Sequence, residues 1–133
     1  MTPKQRFESL KAWVIADDVS VEVDSSYYDF AKTPAEDRII NGNAGSDGYI
    51  ILYKDSKDKN YNLLASLLIH EYGHVVEWRD KDREKHTEKQ AWETGIQAVP
   101  EEFWPPTLKE DCQLCLSSYG YKKFKWLEEI VKS

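Results

Sequence analysis

The chain has 133 residues, of which 41% are hydrophobic and 13% aromatic, and its formal net charge is −6 at pH 7. This length and apolar content fit a single folded domain over residues 1–133, with little room for a second one. The acidic balance argues against nucleic acid as a partner, because phosphate binding relies on a basic surface. Since no apolar run is long enough to span a bilayer or to form a secretory signal, we expect no membrane partner and a cytoplasmic location.

The amino-terminal part of the chain predicts one helix and one or two strands. Apolar residues recur at three- and four-residue spacing over residues 4–16, which is typical of a helix. Residues 19–23 alternate between apolar and polar, as a half-buried strand does. Residues 24–37 contain Asp, Ser and a Thr-Pro pair and indicate mostly loop, and residues 38–40 are a possible short strand.

A glycine-rich segment and the strongest strand of the chain come next. The segment Asn41–Gly48 holds three glycines and predicts a turn. Tyr49–Tyr53 is β-branched and aromatic, which favours a strand. From about residue 62 to residue 78, leucines and valines occur too densely for a thin stripe, so we expect a helix that is buried on much of its surface.

The carboxy-terminal part predicts further helices. Residues 79–85 form a dense charge run, which we expect to be solvated. A helix is expected at residues 87–99, with Thr87 as its N-cap, and another at residues 107–119.

A last helix at residues 121–131 would show the lysines of residues 121–126 to water. Together the elements predict an α+β domain, in which a small twisted sheet packs on the long helix at residues 62–78. Additional helices are expected at both ends of the chain.

The long helix contains the pentapeptide His70-Glu71-Tyr72-Gly73-His74. Residues four apart share one face of a helix, so the imidazoles of His70 and His74 can reach one metal ion. Glu71 is adjacent to the first imidazole and lies beside such an ion, where it can take a proton from water. A glycine at position 73 is reasonable if another segment approaches the helix closely.

A catalytic zinc ion takes a third protein ligand, and the candidates that follow the motif are His86, Glu88 and Glu93. The residues alone leave the choice among these three open. They also leave open whether the ion is zinc or another divalent metal that accepts the same ligands.

The segments Leu68–Val76 and Glu88–Trp92 resemble the Glu-zincins, the His-Glu-x-x-His metallopeptidases whose third ligand is a glutamate on the following helix. Glu88 and Ala91 match the Glu-x-x-Ala pattern at that ligand. The resemblance implies that His70, His74 and Glu88 hold one Zn²⁺ per chain, with Glu93 matching the longer gap of some branches. It also implies a zincin-like fold.

By the same resemblance, Glu71 is the general base of peptide-bond hydrolysis, the substrate is a peptide or protein, and an endopeptidase is favoured over an exopeptidase. The strand at Gly48–Tyr53 would be an edge to which an extended substrate pairs. Donors to the oxyanion could come from four side chains, among which the sequence does not choose: Arg79, His86, Tyr119 and Tyr121.

Two other functions compete with the peptidase. The first is a metal-stabilised interaction or regulatory module with little or no proteolytic activity, which would present tryptophans to a partner: Trp78, Trp92, Trp104 and Trp126. The second is a structural zinc site in which Cys112 and Cys115 join His70 and His74. We expect instead that the Cys-x-x-Cys pair is part of a packed helix.

Overall fold

The protein is described by a computed structural model, which defines residues 1–24, 41–54 and 60–131. Within these ranges the fold is mixed α/β, with five α-helices, a three-stranded mixed sheet and a 3-10 turn at Glu101–Phe103. The elements, in chain order, are α1 (Pro3–Ala16), β1 (Ser20–Asp24), β2 (Asn41–Gly45), β3 (Tyr49–Tyr53), α2 (Tyr61–Arg79), α3 (Glu88–Ala98), α4 (Leu108–Ser118) and α5 (Lys125–Ile130).

The predicted helices are confirmed, and capping residues set where several of them begin. Thr2 and Gln5 form a capping box at the start of α1, with Pro3 as the first helical residue. Asn60 accepts a hydrogen bond from the Leu63 N–H and caps α2. The last helix is shorter than predicted, because residues 121–124 are not helical.

β3 lies in the centre of the sheet, parallel to β1 and antiparallel to β2. The predicted turn over Asn41–Gly48 is therefore wrong in its first five residues, which pair with β3, and the turn is confined to residues 46–48. The expectation that β3 is an edge strand is also wrong, since it is paired on both sides. The possible strand at residues 38–40 and the predicted loop at 25–37 lie outside the described residues.

α2 is the centre of the domain. It packs against α1, α3 and α4 and against β2 and β3 of the sheet. Most of its residues are buried, as the sequence predicts, including Leu64, Leu68 and Ile69. In the part of the chain that the structure describes, no helix is both long and apolar enough to cross a membrane.

Two glycines allow α2 and α3 to cross at very short distance. A Cβ atom added at Gly73 would lie 1.8 Å from the Ala91 carbonyl oxygen, and one added at Gly95 would lie 2.1 Å from the Ile69 oxygen. A side chain at either position would push the helices apart. Gly73 therefore has the role that the sequence suggested, and the close crossing brings the first turn of α3 to the motif on α2.

Candidate metal centre

Two imidazoles of α2 meet one carboxylate of α3. The His70 Nε2 atom lies 2.8 Å from Glu88 Oε2, and the His74 Nε2 atom lies 3.1 Å from the same oxygen. His70 is only 4% exposed, whereas the Glu88 side chain is 29% exposed. The cluster thus lies at the bottom of a surface opening, with its carboxylate towards solvent.

The start of α3 determines where Glu88 lies. The Thr87 hydroxyl accepts a hydrogen bond from the Gln90 N–H, and the Gln90 side chain accepts one from the Thr87 N–H. This capping box confirms Thr87 as N-cap and places Glu88 in the first turn, where the helix terminus favours negative charge. The hydrogen bond from His70 is the main cause that holds the pKa of Glu88 well below its usual range, so it is a carboxylate at neutral pH.

His74 has a second partner that fixes its tautomer. The Arg83 carbonyl oxygen can only accept, so His86, whose Nδ1 lies 2.9 Å from it, carries its proton on Nδ1. A neutral His86 then has a lone pair on Nε2, which lies 2.7 Å from His74 Nδ1 and needs a proton there. A neutral His74 consequently turns an unprotonated Nε2 towards Glu88.

The loop between α2 and α3 is anchored to α2. The Arg83 N–H donates to the Glu77 carbonyl oxygen at 2.8 Å, and the Arg83 guanidinium lies 3.5 Å from the buried Glu77 carboxylate. The Trp78 indole N–H donates to the Glu84 carbonyl oxygen, and the Trp78 ring stacks on His74. The charge run that the sequence predicts as solvated is mostly exposed, yet it also holds this loop in place.

His70 is packed more tightly and has fewer partners. Its ring stacks on Trp92, with centroids 4.5 Å apart and an interplanar angle of 21°. Burial lowers the pKa of His70, so its imidazole is neutral. Its Nδ1 atom is buried and has no hydrogen-bond partner among the described residues. Metal-ligating histidines usually donate a hydrogen bond from the ring nitrogen that does not bind the metal. The Nδ1 atom of His74 has such a partner in His86, whereas that of His70 has none among the described residues.

A divalent metal ion fits this donor set. The His74 lone pair and the Glu88 carboxylate face each other at 3.1 Å, and two acceptors repel unless a cation or a proton lies between them. Two imidazole nitrogens and one carboxylate oxygen are donors that zinc prefers. Ligands of a tetrahedral zinc ion lie about 3.3 Å apart, and the two N–O separations in the structure are 2.8 and 3.1 Å. Small shifts of these side chains would therefore suffice to hold a zinc ion.

Glu71 lies beside the imidazoles, with its Oε1 atom 3.9 Å from His70 Nε2. The potential ligand atoms of His70, Glu71 and His74 all lie within 4.8 Å of one another. Burial raises the pKa of Glu71 to about 7. A Cβ at Gly42 would lie 3.1 Å from Glu71 Cγ, so β2 covers this side chain closely. The site thus holds a buried carboxyl group that exchanges its proton near neutral pH.

The cluster opens into a cleft of about 380 Å³. Residues 42–44 of β2 form one wall, and Cys115 and Tyr119 line it from α4 and its end. Tyr119 is 59% exposed, and the charge of Glu88 raises the pKa of its phenol, so the hydroxyl stays protonated and can donate. Of the four candidate oxyanion donors, Tyr119 is the one among the residues that line the cleft.

The other predicted residues lie elsewhere. Glu93 lines a separate depression with Lys81, so the structure brings Glu88 and not Glu93 to the imidazoles. Arg79 is held 2.7 Å from the Asp17 carboxylate. Tyr121 lines a different depression from the cleft. His86 lies behind His74 as its hydrogen-bond partner and does not face Glu88 directly.

The two cysteines point to different surroundings. Cys112 is fully buried in the hydrophobic core, and burial raises the pKa of its thiol, whereas Cys115 lines the cleft. Neither the group of His70, Glu71 and His74 nor the set of His70, His74 and Glu88 contains a cysteine. The geometry does not support a site made of both thiols and both imidazoles.

Sequence reasoning missed three features of this site. The expectation that Trp92 presents a surface to a partner is wrong, because it is fully buried and packs on His70. The contact between Trp78 and His74 could have been found, since these residues are four apart on one helix. The wall formed by β2 gave no signal, because its composition is that of a turn.

Comparisons of the chain with protein-family models, with curated proteins and with solved structures found no match.

Proposed function

We propose that this chain is a zincin-like metallopeptidase that holds one Zn²⁺ with His70, His74 and Glu88. The observation that carries the proposal is the approach of both Nε2 atoms to a single Glu88 oxygen, next to a buried Glu71. The resemblance to the Glu-zincins and the glycine-mediated crossing of α2 and α3 support the same ligand set.

A zinc ion held there would polarise a substrate carbonyl and make water more acidic at neutral pH. Glu71 takes a proton from the attacking water and passes it to the leaving amine, which suits a carboxyl group whose pKa is about 7. Tyr119 donates a hydrogen bond to the developing oxyanion from the edge of the cleft.

The cleft favours internal peptide bonds over carboxy-terminal ones. Among its described lining residues there is no Lys or Arg to bind a terminal carboxylate. An extended peptide would lie beside residues 42–44 of β2, the strand that replaces the predicted edge at Gly48–Tyr53. Cys112 and Cys115 are free thiols, which supports a reducing compartment such as the cytoplasm.

The test is hydrolysis of a mixed peptide library by zinc-loaded wild type, Glu71→Gln and the control Glu93→Gln. Wild type and Glu93→Gln are expected to cut the same bonds. Glu71→Gln is expected to keep its zinc and to lose roughly 10²- to 10⁴-fold in rate. Equal cutting by Glu71→Gln would contradict the assigned base. No cutting by zinc-loaded wild type would favour the interaction module instead.

A further inference from the structure

A second depression, of about 460 Å³, is lined by residues that are close in sequence to residues of the cleft. Its lining consists of Lys89, Gly120, Tyr121, Lys122, Lys123 and Trp126, which we call the basic patch. The sequence predicts these carboxy-terminal lysines to lie on an amphipathic helix. Instead, residues 121–124 follow Gly120, whose φ is 91°, in a non-helical conformation and form part of one concave surface.

The basic patch has positive charge and aromatic surface together. Lys122 and Lys123 are exposed, and the Lys89 ammonium lies 5.3 Å from the Trp126 ring centroid. No carboxylate is among the described residues that line the patch. Other basic side chains are paired, for example Lys109 with Glu128. The patch is thus a local positive surface on a chain whose net charge is −6.

Two pairs of sequence neighbours connect the cleft to the patch. Glu88 lines the cleft, and the next residue, Lys89, lines the patch. Tyr119 lines the cleft, and the residues that follow it, Gly120 and Tyr121, line the patch. The backbone that lines the patch is therefore close to that of the cleft, and a peptide that extends beyond the cleft can reach the patch.

We propose that the basic patch binds an acidic segment of the peptide or protein that occupies the cleft. This rests on the proposed function only for the identity of what occupies the cleft. Carboxylates would pair with the three lysines, and the rings of Tyr121 and Trp126 would contact the flanking side chains. Nucleic acid is disfavoured because three lysines on an acidic chain neutralise few phosphates. An anionic membrane is disfavoured because recognition there usually takes about four to eight clustered basic residues.

Exposed lysine–carboxylate pairs are individually weak, so the preference is moderate. Each pair changes an affinity by about fivefold at most, and three pairs together by roughly tenfold. Screening by salt is expected to reduce this preference, because the charges are solvent-exposed.

The test uses Glu71→Gln protein, so that peptides bind without being cut. Fluorescence anisotropy measures the Kd of an acidic peptide and of a matched peptide with Gln and Asn in place of Glu and Asp. In the Glu71→Gln background we compare Lys122→Glu/Lys123→Glu with Lys4→Glu/Lys11→Glu, which changes charge equally on α1. Lys122→Gln/Lys123→Gln removes the positive charges without adding repulsion.

The acidic peptide is expected to bind roughly tenfold more tightly than its matched peptide, and less so as salt rises. Both substitutions at Lys122 and Lys123 should remove the preference, and the α1 control should retain it. Equal binding of the two peptides, or equal losses in the control, would overturn the proposal. Lysine-dependent binding of an oligonucleotide or of phosphatidylserine vesicles, with no peptide preference, would overturn it too.

Failure of the basic patch and failure of the peptidase are distinguishable. A protein that holds zinc and cuts peptides without any acidic preference would overturn the patch alone. A protein without zinc or turnover that still prefers the acidic peptide would overturn the peptidase and retain the patch as a binding surface.

Discussion

Replacement of Gly73 by Ala tests the close crossing of α2 and α3. The new Cβ would lie 1.8 Å from the Ala91 carbonyl oxygen, while real Cβ atoms are hardly ever found under 3.0 Å from such an atom. The helices would have to separate by more than 1 Å. Overpacking of this kind costs about 1–3 kcal/mol, which outweighs the gain of about 1 kcal/mol in helix propensity.

The same displacement would move Glu88 away from the two imidazoles. Metal sites tolerate deviations of only about 0.2 Å in ligand distance, so zinc affinity should fall together with stability. Urea unfolding of metal-free protein measures the first effect, and competition with a chromogenic chelator measures the second. Gly95→Ala, which would place a Cβ 2.1 Å from the Ile69 oxygen, should also lower both stability and zinc affinity.

Gln97→Ala, at an exposed position of α3, is the matched control and should change neither quantity by much. The sign of the change in stability on Gly73→Ala distinguishes steric overlap from helix propensity. If that variant is about 1 kcal/mol more stable than wild type and binds zinc normally, helix propensity alone acts at this position, and the close crossing is refuted.

Three further predictions concern the titration of Glu71, the partner of His74 and the cysteines. The pKa of Glu71 is raised from 4.5 to about 7, so the folded protein keeps this proton after the unfolded chain has lost it. The free energy of unfolding of metal-free wild type should therefore fall by about 3 kcal/mol relative to that of Glu71→Gln as the pH rises from 4.5 through 7. A difference in unfolding free energy that does not change with pH, measured with urea, would contradict this. His86→Ala should weaken zinc binding by about 10- to 100-fold, with partial rescue by His86→Gln, whose side-chain oxygen can accept from His74; an unchanged zinc Kd would exclude the positioning role. The double variant Cys112→Ser/Cys115→Ser should retain its zinc. Loss of the metal from a variant whose circular dichroism is still native would instead support a structural zinc site that includes both cysteines.

The sequence was most informative where chemistry and periodicity coincide. The helical spacing placed His70 and His74 on one face, and Thr87 marked the start of the helix that carries Glu88. Gly73, unfavourable in an isolated helix, already indicated a close neighbour. Such features are local, because each depends on a few adjacent residues.

Contacts between segments that are distant in the sequence could not be predicted from such local patterns. The strand β2 has the composition of a turn, and its pairing depends on β3 and on the close fit of Gly42 over Glu71. The choice of Glu88 over Glu93 follows from the close approach of α3 to α2 at Gly73 and Gly95, which no spacing rule supplies. The sequence predicts a helix over residues 121–131, but residues 121–124 are not helical and follow Gly120, whose φ is positive.

The proposed ligand set for a single metal ion is His70, His74 and Glu88. Its most direct test is the metal content of untagged protein, measured by mass spectrometry for wild type, His74→Ala, Glu88→Ala and Glu93→Ala. We expect about one zinc per chain in wild type and Glu93→Ala, and a large loss in His74→Ala and Glu88→Ala. Wild type that takes up no metal from added zinc, or Glu88→Ala that keeps a full equivalent, would contradict this ligand set.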